Sequence, residues 1–342
     1  MDRRRRRAIK LVGSSGLVAI AGCSGSDTDD RGATTGTTDT DDGRDSTADA
    51  DSASPQADAT ASTEYQEWLV SPNAFAGRDH YSFSTVDYER LRSVRTEMDP
   101  DVFGQLRSNV SSDEFAQFGI GLADSSTLIN LRPMSGSGGQ WNVILGSFSR
   151  GDVEEEFTDS ITVSDSEGAN GDRSGVSTER RGAYTLYYGG ELDGTVALAD
   201  GVVLSGSSAE MDSTANVESL IDAKAGETDR YTTQGEDMAT ITGVLGSGTF
   251  LGGSTSERVT ETALESGLFE GQVGYGYADT VRGETMETRE VFLFDEPASV
   301  DMESVDAYRD IELFDDFSRI SASQNGRVVL VTGEVATADI YG

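Results

Sequence analysis

Gly119-Ile120-Gly121-Leu122-Ala123-Asp124 returns 155 positions later as Gly274-Tyr275-Gly276-Tyr277-Ala278-Asp279. The segments around the two copies also follow one another in a common order. In the first half, 80–86 reads as a strand and 87–98 as a helix; a strand at 118–123, a strand run ending at 141–148 and a helix at 152–160 follow. Residues 195–198 and 202–204 then form a hairpin about Asp200-Gly201. In the second half, 238–245 reads as a strand, 256–266 as a helix, 272–281 and 285–294 as paired strands, and 300–311 as a helix. Residues 320–323 and 328–331 close it with a hairpin about Asn325-Gly326. Asp-Gly and Asn-Gly supply the positive φ that a two-residue hairpin turn needs. Asp87, Asp152, Asp212, Ser256 and Asp301 stand where a side chain can accept the free N–H groups of a first helical turn.

The expected fold is therefore α+β: a tandem pseudo-repeat of β-α-β-β-α-β-β units, with mixed, largely antiparallel sheets and helices on one face. Asp124 and Asp279, Asp152 and Asp301, and Val202-Val203-Leu204 and Val328-Val329-Leu330 would occupy equivalent places. Extra length in the first half falls at 135–139 and 164–181, where Gly, Ser and charged residues tolerate insertion. Residues 65–230 form the first half and 231–342 the second. Both tryptophans, all 13 phenylalanines and all 11 tyrosines lie in these two segments. Residues 23–64 differ: they hold ten aspartates among Thr, Ser, Ala and Gly, and no aromatic residue. Such a segment buries too little apolar surface to offset its ordering entropy, and is expected to be a disordered acidic linker.

The start of the chain supplies an address. Arg5-Arg6-Arg7-Ala8-Ile9-Lys10 precedes a short, glycine- and serine-diluted apolar stretch that ends in Ile20-Ala21-Gly22-Cys23. A charged segment, a short apolar one and a small-residue site is the pattern of an export signal. It falls short of the about 20 apolar residues that a spanning helix needs. The segment resembles the twin-arginine signal and lipobox of haloarchaeal surface lipoproteins. Arg5, Arg6, Ile9 and Lys10 fit the signal, while Ala8 stands where the pattern has a bulkier apolar residue. The resemblance implies that residues 1–22 are a signal peptide, that Cys23 becomes the lipid-bearing first residue, and that the protein sits on the outer face of the cell membrane. Cys23 is also the only cysteine, so no disulfide forms within the chain.

Charge narrows the partners. The 342-residue chain has 61 acidic against 26 basic residues, a net charge of −35, and its only lysines are Lys10 and Lys224. This balance looks like that of a haloarchaeal proteome. In about 1 M salt the Debye length falls to about 3 Å, so dense carboxylates stop repelling one another; in dilute buffer they destabilise the compact state. Nucleic acid, which needs basic surface to displace counterions, is excluded as a partner. Attachment to a membrane is expected through lipid on Cys23 rather than through charge. The ligand or protein partner stays open.

Catalytic signatures are sparse. A Ser-His-Asp hydrolase would have to use the single histidine, His80, beside Asp79, and no Gly-x-Ser-x-Gly elbow accompanies it. Zinc needs clustered His or Cys ligands. The acidic runs Asp152–Glu156 and Asp315-Asp316 read as solvated surface, and 39–43 lacks the ligand spacing of a calcium loop. The Gly246–Gly253 stretch spaces its glycines wrongly for a dinucleotide loop and reads as a flexible turn. No catalytic residue, metal or cofactor is assigned. Asn109-Val110-Ser111 is the one sequon of the globular part and makes Asn109 a possible N-glycan acceptor. The expectation is a non-enzymatic binding or envelope-interaction module. Its rivals are a solute-binding lipoprotein of a transporter, with two parallel-sheet lobes and Tyr184, Tyr187, Tyr188, Tyr275 or Tyr277 in a cleft, and a secreted hydrolase using His80.

Overall fold

A computed structural model of the chain describes residues 64–75, 79–110, 115, 117–134, 139–164, 175–190, 192–208 and 211–341. Among these residues twelve strands form one sheet, in the order β11-β12-β10-β9-β8-β1-β2-β3-β7-β6-β5-β4. They are β1 (Tyr81–Asp87), β2 (Ser125–Pro133), β3 (Gln140–Gly146), β4 (Ser177–Arg181), β5 (Tyr184–Tyr188), β6 (Thr195–Ala199), β7 (Val202–Ser207), β8 (Phe250–Thr255), β9 (Gln272–Arg282), β10 (Thr285–Phe294), β11 (Ser318–Asn325) and β12 (Val328–Ala336). Every pairing between them is antiparallel. The fold is α+β, with one continuous antiparallel sheet where mixed sheets were expected.

Strand order carries the repeat. Outward from the junction of β1 and β8 it runs β1-β2-β3-β7-β6 on one side and β8-β9-β10-β12-β11 on the other. The two series are the same step for step, and β1 pairs with β8 antiparallel. The hairpin β4–β5 is an addition to the first series, and β4 falls within the stretch expected to hold inserted length. The two hexapeptides are not equivalent, however. Gly119–Asp124 lies in turns before β2, whereas Gly274–Asp279 lies within β9.

Among the described residues eight helices flank the sheet: α1 (Tyr88–Ser93), α2 (Pro100–Val110), α3 (Arg150–Ser164), α4 (Ser213–Ala225), α5 (Tyr231–Gln234), α6 (Glu236–Leu245), α7 (Met302–Arg309) and α8 (Thr337–Tyr341). Asp87, Asp212 and Asp301 cap α1, α4 and α7 as expected. Asp152 does not cap α3. The helix begins earlier, and Asp200 of the β6–β7 turn accepts its Arg150 N–H at 2.9 Å.

Helices cover both faces, not one. Strand neighbours alternate between faces. Phe83, Ile129, Leu131, Trp141, Val143 and Leu251 join α4, α5 and α6 in one core, on what is here the tryptophan face. On the opposite face, Leu128, Ile144, Val203, Phe250 and Tyr277 join α1, α2, α3 and α8, while Phe292, Phe294 and Val329 pack on Val305 and Tyr308 of α7. The physical reason lies in strands such as β3, where Trp141–Leu145 is buried at every position. A strand apolar on both sides demands cover on both sides.

Three second-half assignments change. Residues 238–245 are helical, because Met238, Ile241, Thr242 and Leu245 fall on one buried helical stripe. Residues 256–266 hold only a short 3-10 turn at Leu264–Ser266, and Ser256 caps no helix. The supposed flexible turn at 246–253 leads into β8, which is buried along its whole length.

Candidate functional site

On the opposite face, the five neighbouring strands β7, β3, β2, β1 and β8 carry two ranks of polar side chains. Register aligns Ser205 of β7 with Asn142, Asn142 with Asn130, Asn130 with Ser84, and Ser84 with Gly252 of β8. One step further along, Ser207 faces Gln140, and Arg132 faces Ser82, which faces Ser254. Partners in register share a face, so these side chains form a band about two residues deep across the middle of the sheet. Helices α1, α2 and α3 pack instead on the apolar rank beside it, at Leu128, Ile144 and Val203.

A hydrogen-bonded chain fixes part of this band. Arg132 donates to Gln140 Oε1 at 2.9 Å, Gln140 to Asn142 Oδ1 at 2.9 Å, and Asn142 to Ser205 Oγ at 3.3 Å. Asn142 is buried, Arg132 exposed, and Ser82, Ser84, Asn130, Gln140, Ser205 and Ser207 are half-buried. The two ranks contain no carboxylate. The aromatic boundary lies on β9: Tyr275 pairs in register with Ser254, and the Tyr277 ring lies over Gly252, where a Cβ would meet it at 2.6 Å.

Beyond that boundary lies a buried acidic pair. Glu290 accepts the hydroxyls of Tyr275 and Tyr308, each at 3.0 Å. Asp279 faces Thr288 across β9 and β10, and both Asp279 and Glu290 are almost fully buried. Burial pushes the Asp279 carboxyl up to about 7, with nearby Glu290 adding to the rise and Thr288 easing it. Asp279 Oδ1, Thr288 Oγ1 and the Tyr341 hydroxyl meet no partner at hydrogen-bonding geometry. Burial likewise raises Glu290, against the lowering by its two tyrosine donors. Both carboxyls lie inside the core, out of reach of a substrate.

The residues singled out in the sequence are scattered. Arg5, Arg6, Lys10 and Cys23 lie outside the described residues. Asn109 lies in the last turn of α2, and Ser111 of its sequon is outside the described residues. His80 is half-buried, with Nδ1 2.9 Å from Thr255 Oγ1; that hydroxyl also bonds Tyr231. Tyr184 and Tyr188 pack on the tryptophan face, while Tyr187 lies on the other and donates to Glu154. Seven strand positions separate β5 from β9, so the five tyrosines line no common cleft. Among the described residues, no three His, Cys, Asp or Glu side chains are grouped to hold a metal ion. An open depression of about 320 Å³ beside α7 includes Arg258, Phe269 and Asp301; Arg258 is paired with Asp295 at 2.7 Å, and Asp301 caps α7.

The band itself is the feature sequence reading missed. Its signal is the two-residue spacing of Ser82 and Ser84, Asn130 and Arg132, Gln140 and Asn142, and Ser205 and Ser207. Each pair alternates with apolar residues, so each marks a polar strand face. Only pairing shows that the four faces are one surface.

No protein-family model matches the chain, and no curated protein matches it. Among solved structures it is similar to three crystal forms of TP0453. Form III gives a TM-score of 0.45 at 7% identity, covering 80% of this chain and 96% of that one. Form I gives 0.43 at 10%, covering 81% and 94%; form IV gives 0.39 at 10%, covering 78% and 94%. Similarity of this order identifies neither a family nor an activity.

Proposed function

We propose that this protein is a lipid-anchored extracytoplasmic surface module that binds a partner rather than catalysing a reaction. The observation that carries the binding reading is the largely half-buried polar band on the central strands, an array of donors and acceptors partly held by the Arg132–Gln140–Asn142–Ser205 chain on a twelve-strand sheet. Sites built on strands hold their geometry better than sites on loops. The anchoring reading rests on Ile20-Ala21-Gly22-Cys23 behind a basic and then an apolar segment. In it, residues 23–64 act as the tether. Among the described residues no helix is long and apolar enough to cross a membrane.

Neither rival gains support. A transporter's two-lobed binding protein calls for parallel sheets, and this sheet is antiparallel throughout. A hydrolase calls for His80 between a carboxylate at Nδ1 and a serine nucleophile at Nε2, and the side chain at its Nδ1 is Thr255 rather than a carboxylate. Membrane fractionation tests the anchor: Cys23→Ser is expected to move the protein from membranes to the medium. Unchanged membrane association of that variant overturns the lipid anchor.

A further inference from the structure

Resting on the binding reading above, we propose that the polar band is a site for a neutral, hydroxyl-rich saccharide. Its chemistry eliminates the other ligand classes in turn. A cation would need carboxylates, and the two ranks have none in a chain where acidic residues outnumber basic ones 61 to 26. An anion would find one guanidinium, Arg132, on a molecule of net charge −35. An apolar ligand would bury the amide of Asn130 and the hydroxyl of Ser84 without partners, a costly exchange. A peptide cannot add as a strand, because β1, β2 and β3 each already pair on both sides.

What remains is a ligand whose groups both donate and accept. Serine hydroxyls and side-chain amides offer both functions at each position, as sugar hydroxyls do. Asn130 and Ser84 make no side-chain hydrogen bond among the described residues, so their capacity is available, while the Arg132–Gln140–Asn142–Ser205 chain holds its members in place. Tyr275 closes the band as a half-buried ring fixed through its hydroxyl to Glu290 and packed 5.3 Å from the Phe292 ring. Rigid placement of such groups reduces the ordering cost of binding.

The test is calorimetric titration of the protein in molar KCl with maltohexaose, cellohexaose and mannohexaose, repeated with Asn130→Leu and Ser84→Val. Valine is favoured in strands, so the second substitution guards against loss of folding. The expected result is saturable binding of at least one hexaose, weakened at least about tenfold in both variants, equivalent to about 1.4 kcal/mol, with melting unchanged. Failure of all three hexaoses to bind overturns the proposal, as does binding that neither variant weakens. A dimer that both variants dissociate, seen by sedimentation, assigns the band to a second copy and also overturns it. The anchored-module reading fails separately, by membrane retention of Cys23→Ser.

Discussion

At Asp279, folding takes up a proton. The buried carboxyl titrates at about 7, against about 3.9 in an unfolded chain. Below about pH 4 both states are protonated and the folded state bears no penalty. As pH rises toward 7 the unfolded state ionises first, so stability declines through that window and levels off above it. Glu290 is shifted in the same direction and adds to the decline. One pKa unit corresponds to about 1.4 kcal/mol, so the loss through Asp279 is on the order of 4 kcal/mol. Asp279→Asn, which cannot ionise, is expected to flatten the profile between pH 4 and pH 7. Denaturant melts in molar KCl, where surface repulsion is screened, measure this directly. A variant profile as steep as that of the original chain would refute the assignment.

Among the elements, the β6–β7 and β11–β12 hairpins show how a turn glycine meets two surroundings. Gly201 and Gly326 both hold positive φ, 69° and 60°; Gly201 is the second residue of the Asp200-Gly201 turn, whereas Gly326 is the first of a Gly326-Arg327 turn, because Asn325 pairs with Val328 as the last residue of β11. A Cβ at Gly326 would meet nothing within 4 Å, whereas one at Gly201 would lie 2.6 Å from the Gly146 carbonyl oxygen. Gly326→Ala is expected to cost about 1 kcal/mol from backbone strain alone. Gly201→Ala should cost more, because the β6–β7 turn must also move away from the end of β3. Equal losses in chemical denaturation would show that the contact with Gly146 carries no energy. The edge strands follow their own logic. β4 and β11 are largely exposed and rich in Ser, Arg and Thr or Gln, which blunts the open ends of the sheet against further pairing.

For the molecule as a whole, charge and architecture act together. A net charge of −35 repels itself in dilute solution, and no disulfide staples the fold. The melting temperature is therefore expected to rise steeply from dilute buffer to molar KCl, as screening removes the repulsion. Calorimetry across a salt series checks this, and salt-independent melting contradicts it. Some local cations are already committed. Lys224 pairs with Glu67 and stands 5.4 Å from the Trp68 ring, holding the Glu64–Trp68 turn against α4. Arg181 joins Asp222 at 2.7 Å and Glu218 at 3.1 Å. Exposed pairs of this kind contribute at most about 1 kcal/mol each, too little to offset repulsion over the whole surface.

The amino-acid sequence by itself determined the α+β class, the β6–β7 and β11–β12 hairpins, and the helices capped by Asp87, Asp212 and Asp301. These are local matters: a turn residue, a cap or a spacing is legible without knowing what lies opposite. Local reading failed where neighbours decided. Met238–Leu245 took helical form because its apolar stripe rests on glycines of β9, and β8 became a buried strand because its glycines fit beneath Tyr277 and Ile241. Only the tertiary structure joined both halves into one sheet, set helices on both its faces, buried Asp279 and Glu290 side by side, and aligned Ser84, Asn130, Asn142 and Ser205. Register across strands distant in the chain is a property of pairing, and no single segment encodes it.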